Sequence, residues 1–306
     1  MRQTIWNDIK YRIIHSNNAI IHLIAINVLA FLVVSIPMGI SMVVYVNSDH
    51  NPIIEFVYNW LYLPGLFSDF ITRPWTLFTH FFLHSSFDIY HILFNMLVFW
   101  MFGRIFQNLM GNPRTVQLFV LAGMAGGLAF LLANPLLPTL ANHQPLVGAS
   151  GAIMGFVVGA TTLSPTYVVR LFLIGEVSLW MIAAAMITLD IIFIAGNTGG
   201  RIAHLAGGFM GYLFVSQLQK GNDFGSWISS ALLAIENFFK PKPKSNFKVH
   251  TGSGRNASST KSSKTTFSNA VTQEEIDAIL DKITKSGYDS LSKREKDILF
   301  KSSDKN

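Results

Sequence analysis

Six segments of this chain, at about residues 19–46, 86–103, 114–134, 150–163, 177–196 and 200–218, are apolar enough to span or nearly span a lipid bilayer. Backbone N–H and C=O groups placed in hydrocarbon must bond to one another, so apolar runs of this length become helices. The fold class that follows is an all-α polytopic membrane protein. Composition agrees, because 50% of the 306 residues are hydrophobic and only 13% are charged, too apolar a balance for a soluble enzyme of this length.

An even number of spans puts both termini on one side. Arg2, Lys10 and Arg12 precede the first span, Arg104 and Arg114 flank the second loop, and Arg170 sits in the fourth, against Arg73 and Arg201 in the alternate loops. The excess of cations marks the first set as cytoplasmic, so the chain reads as an integral, multi-pass protein with both termini in the cytoplasm. The first apolar stretch is longer than a signal-peptide core and lacks an A-x-A-like cleavage site, so it reads as a retained span.

The organisation expected is a cytoplasmic segment (1–18), a six-helix membrane domain (19–220), an amphipathic piece with a basic Ser/Thr-rich linker (221–270) and a small helical hairpin (271–306). The long first loop, 47–85, carries "FVYNWLYLPGLF" and "TRPWTLFTHFF" and reads as partly interfacial. In the tail, Thr272–Glu275 and Ser292–Glu295 both match the capping box, and Ile276, Ile279, Leu280 and Ile283 recur at helical spacing. The net charge of +6 belongs mostly to this tail, which fits a segment beside a membrane; no nucleic-acid motif is present. The chain has no cysteine, which excludes disulfides, thiol proteases and thiolate metal sites.

The fourth span is short. From Ser150 to Ser164, before Pro165, it rises roughly 21 Å against a slab of about 30 Å, which puts Ser150 roughly 9 Å below the outer surface. The preceding "ANPLLPTLANHQPLVG" must then re-enter the membrane, and irregular backbone there has to be enclosed by protein or line a wet cavity. On the same ruler His91 lies ~20 Å above Arg104 and His204 ~24 Å above Lys220. Three helices bring a serine and two histidines to similar depth, and Asn95 follows His91 at i+4 on one face. Isolated polar groups at such depth serve interhelical hydrogen bonding; this set together reads as a functional site.

The chemistry available is acyl transfer. Ser150 needs a base and His204 is the imidazole on another helix, while His91, Asn95 and the N–H groups of a helix starting at Ser150 can hold a developing oxyanion. Gly148 permits a tight turn ahead of the serine, and Gly151, Gly155 and Gly159 face a comparable stripe at Gly200, His204, Gly208 and Gly211. Asp190, a carboxylate inside a span, could orient His204, pair with a polar loop group or sit near the outer interface; a Ser–His dyad is the expectation. His80 and His84 form an H-x-x-x-H pair without the intervening glutamate of metalloproteases, so hydrogen bonding within the loop is expected for both and no metal.

"HILFNMLVFWMFG", "GASG" and "GGRIAHLAGGFMG", in that order, resemble the rhomboid intramembrane serine proteases, and "RPWTLFTHFFLH" is similar to their first-loop signature. The resemblance covers about residues 10 to 220. It implies a six-helix rhomboid bundle of bacterial type in the inner membrane, a Ser150–His204 dyad, an oxyanion site of His91, Asn95 and backbone, and no cofactor. It implies substrates that are membrane proteins, cut in a transmembrane segment near its outer end. One departure is Met154, where the family commonly places an aromatic against the histidine. Two other classes compete: a catalytically silent rhomboid-like protein that escorts membrane clients, and a transporter, which the lack of an inverted hydropathy repeat disfavours. The partner of the tail is left open.

Overall fold

The structure is a computed structural model that describes residues 17–86, 88–137, 140, 144–171, 175–239, 273–286 and 288–303. The first capping box, at Thr272, lies outside the described residues. Each of the six apolar segments contains a helix. Two helical runs, Ala19–Val44 and Ile89–Leu136, are long and apolar enough to cross a membrane; Ser150–Leu163 and Leu179–Ile192 are apolar but shorter.

Helix α1 (Ala19–Val44) starts where the Asn18 side chain accepts the Ile21 N–H. It buries Ile20, Leu23 and Met38 against the rest of the fold and turns Leu29 and Val33 outward, more than 60% exposed. An apolar helix with an apolar outer face suits lipid rather than water. The first loop holds three short helices, α2 (Pro52–Trp60), α3 (Phe67–Thr72) and α4 (Thr76–Thr79). Trp60 and Trp75 stack with centroids 5.8 Å apart and stay about half exposed, whereas Thr76, Leu77, His80 and Phe81 are buried. The stretch read as partly interfacial is therefore half exposed aromatics and half core.

The run Ile89–Ala133, labelled α5, is two helical arms broken at Gly111 (φ 81°, ψ 172°), and the arms lie side by side, with the rings of Phe99 and Phe119 5.2 Å apart between centroids. Arg104–Met110 contains good helix formers, so the first arm runs on past its apolar part. Glycine reaches that backbone angle at least cost, and Pro113 then fits the first turn of the second arm. The Asn112 side chain accepts the Ala19 N–H and donates to the Asn17 carbonyl, tying this kink to the start of α1.

Helix α6 (Ser150–Leu163) lies at the centre, with none of its residues exposed. After it, strands β1 (Val168–Leu171) and β2 (Gly175–Ser178) pair antiparallel, so the all-α expectation is corrected by one small hairpin. Its register sets Arg170 opposite Glu176, and β-branched valines fill the pleat. Helices α7 (Leu179–Ile192), α8 (Thr198–Gln219) and α9 (Ser226–Phe239) follow.

Small residues set how closely α6 and α8 approach. A Cβ on Gly207 would overlap the Gly151 carbonyl oxygen, and one on Gly211 the Gly155 carbonyl oxygen. On its other side α6 meets α5 through aromatic rings, with Phe156 5.0 Å from Phe99 and 5.3 Å from Phe106 between centroids.

A second compact unit follows Lys242. It contains α10 (Gln273–Ser286) and α11 (Lys293–Ser303), with Ile279 and Leu291 buried. Here the second capping box forms: the Ser292 N–H donates to Glu295 Oε2 at 2.7 Å and the Glu295 N–H donates to Ser292 Oγ at 3.4 Å. The Ser292 N–H first, then the Lys282 ammonium, hold the Glu295 carboxyl down to about 2. Its folded value is depressed, so its contribution is present above the ordinary 4.5 and is lost as pH falls toward 2. Ser292→Ala is expected to cost the hairpin about 1 kcal/mol. Hydrogen exchange on the full chain should show faster exchange at the start of α11, with exchange in α6 unchanged.

Candidate active site

The described residues just ahead of α6 are irregular backbone held by hydrogen bonds at Leu146 and Gly148. Leu63 and Leu146 exchange backbone hydrogen bonds of 3.0 and 2.8 Å, and the Gly148 N–H donates to the His80 carbonyl at 3.0 Å. Gly148 has φ 132°, and a Cβ there would press on His91 Cε1 at 3.3 Å, so both conformation and space require glycine. Ser150 is the first residue of α6, where backbone N–H groups lack partners within the helix.

His91 and Asn95 come from the first turns of α5, whose start is fixed by Asp88 accepting the His91 N–H at 3.1 Å. His204 comes from α8 and Asp190 from the last turn of α7. Ser150, His204, His91, Asn95, Asp190 and Arg201 all border one open cavity of about 560 Å³. The four residues expected to act together are thus brought together. Asn95 Nδ2 is buried without a hydrogen-bond partner among the described residues, a donor with unspent capacity at that cavity. Next to the pair, a Cβ on Gly151 would stand 3.1 Å from the Ala203 carbonyl oxygen, which measures how close the serine helix and the histidine helix run. Ser150 and His204 share the cavity without a hydrogen bond between them.

Asp190 answers the question its position raised. Its two carboxylate oxygens each lie 3.1 Å from His204 Nδ1, and Arg201 Nη1 donates to Oδ1 at 2.7 Å. Arg201 was not foreseen as a site residue. The available signal was its place three residues before His204 on one helical face. Met154, also buried, borders the same cavity.

His80 and His84 behave differently from each other. His80 Nδ1 bonds the Thr76 carbonyl at 3.0 Å, as expected of a loop histidine. His84 departs from that expectation: neither ring nitrogen has a partner among the described residues, and the ring stands 5.5 Å from that of His91. Helix α4 ends at Thr79, so the two do not share a helical face, and no cluster of three metal-ligating residues occurs among the described residues. Burial lowers His80 to about 4; burial and then the neighbouring His91 lower His84 to about 3. Each ring stays neutral when folded but protonates near 6.5 when unfolded, so stability falls as pH drops below 6.5. The slope approaches about 1.4 kcal/mol per pH unit per histidine. The unfolding midpoint in detergent is expected to drop between pH 7 and pH 5, and less steeply in His80→Asn.

Residues 72–220 match the family model described as the Rhomboid domain, and residues 264–305 match a family of unknown function, DUF6576. The chain is 31% identical over 163 residues to Rhomboid protease GluP of Bacillus subtilis (strain 168), covering 53% of this chain and 30% of that protein. It is 30% identical over 149 residues to Rhomboid protein 1, mitochondrial, of Saccharomyces cerevisiae (strain ATCC 204508 / S288c), covering 48% of this chain and 42% of the relative. The matches span less than half the length of either curated relative.

Proposed function

The chain belongs to the rhomboid family, and from that membership we propose that it is an intramembrane serine endopeptidase, cutting transmembrane segments of membrane proteins near their outer end. In this reading α1, the two arms of α5, α6, α7 and α8 are the six spans, and both termini face the cytoplasm. The observation that carries it is the single cavity bordered by Ser150, His204, His91 and Asn95.

Ser150 Oγ attacks the scissile carbonyl while His204 accepts its proton. The tetrahedral oxyanion takes hydrogen bonds from Asn95 Nδ2, from His91 and from the N–H groups opening α6, where the helix dipole favours negative charge. His204 returns the proton to the leaving amine, and water then hydrolyses the acyl-enzyme by the same route. The unspent Asn95 donor supports this role, because a buried amide without a partner costs stability unless a ligand completes it.

The test is covalent labelling. Purified wild type should take up a fluorophosphonate at Ser150, and Ser150→Ala should not; an unlabelled, folded wild type that still retains membrane clients would favour the escort reading. Asn95→Ala is expected to slow cleavage of a single-pass reporter by about a hundredfold or more, with the unfolding midpoint little changed.

A further inference from the structure

We propose that Asp190 is a positioning residue for this site, a third member that fixes the ring and tautomer of His204 and is itself held by Arg201; this rests on the proposed protease reading. The bonds His204 makes among the described residues both run to Asp190, from Nδ1 to Oδ1 and Oδ2 at 3.1 Å. A proton on Nδ1 bonded to a carboxylate leaves Nε2 as the free lone pair, which is the tautomer a base facing Ser150 requires.

The carboxylate is itself immobilised. Its side chain is 8% exposed, and Arg201 Nη1 reaches Oδ1 at 2.7 Å. The same guanidinium nitrogen approaches the Leu189 carbonyl at 3.3 Å, and the group stacks over Phe193 at 5.6 Å from the ring centroid. A lone buried carboxylate would be costly, and Arg201 balances its charge at Oδ1 while Oδ2 bonds only His204 among the described residues. Met154, which also borders the cavity, offers no strong hydrogen bond, so it cannot set the tautomer.

The proton balance is simple. In acylation the Ser150 hydroxyl proton moves to His204 Nε2 as the Oγ–carbon bond forms, giving an imidazolium between the oxyanion and Asp190. The Nδ1 proton stays on the ring, and Asp190 remains a carboxylate throughout. The proton on Nε2 leaves with the amine when the peptide C–N bond breaks.

Asp190→Asn keeps the shape but presents an amide whose N–H can bond Nδ1 and fix the wrong tautomer. With wild type active on a reporter, kcat is expected to fall about 10²- to 10⁴-fold with KM within about threefold. Asp190→Glu should recover part of the loss. Because Asp190→Asn strands the Arg201 charge, Asp190→Asn/Arg201→Gln is measured alongside, and it removes both charges together. A kcat within about threefold of wild type in either folded variant would overturn the positioning role. A wild type that neither cleaves nor labels at Ser150 would instead bring down the protease reading itself.

Discussion

Ser150→Ala is expected to reduce cleavage of a single-pass reporter by at least about 10⁴-fold while leaving the fold and substrate retention intact. The argument is the missing nucleophile: without Oγ, only water can attack, and what remains is stabilisation by the oxyanion donors and by binding. His204→Ala should fall to a similar floor, and the double variant should be no worse, because in the proposed mechanism the two groups act as one unit. Single-turnover cleavage in detergent or in vesicles measures all three, with the unfolding midpoint as control. Undiminished cleavage in either single variant sinks the assignment of that residue.

Gly207→Ala is the second large effect, and it acts through the fold. The added methyl meets the Gly151 carbonyl oxygen, which is backbone in the first turn of α6 and cannot swing aside as a side chain would. Overpacking typically costs 1–3 kcal/mol, and a collision with backbone belongs at or above the top of that range, about 3 kcal/mol or more. The helices must separate, and Gly151 lies next to Ser150, so cleavage is lost along with stability. Gly39→Ala is the matched control, because nothing lies within 4 Å of its added Cβ. Denaturant unfolding should show a large shift for the first variant and little for the second; equal midpoints would refute the packing argument.

Much of this was legible in the sequence, for reasons that differ by element. The apolar segments announce helices because hydrocarbon leaves the backbone no other solution. Ser150, His91, Asn95 and His204 stand out in the sequence because polar groups inside apolar segments are expensive, and in the structure all four border one cavity. The strands Val168–Leu171 and Gly175–Ser178 were missed because four-residue segments carry too little periodicity, although Arg170 and Glu176 were a cross-strand pair in waiting. The separation of the second and third apolar segments was legible, because Gly111 and Pro113 read as a break, and the chain does reverse there between two helical arms. The Asp190–Arg201–His204 contact could not be ranked above its alternatives from spacing alone. It depends on how α7 meets α8, a tertiary fact that no local pattern encodes.

None of the 14 residues of helix α6 is fully exposed, and nine of them are buried. A helix that meets lipid must match the thickness of the surrounding hydrocarbon, by length, tilt or thinning of the bilayer. One sheathed by its neighbours is released from that matching. In the proposed membrane reading, helix α1, with its outward Leu29 and Val33, would meet the bilayer's thickness, while Ser150 is positioned by protein contacts at Gly151, Gly155 and Phe156. In that reading the serine is carried on a shaft inside a sleeve, and a thicker or thinner membrane would strain the sleeve before it moved the shaft.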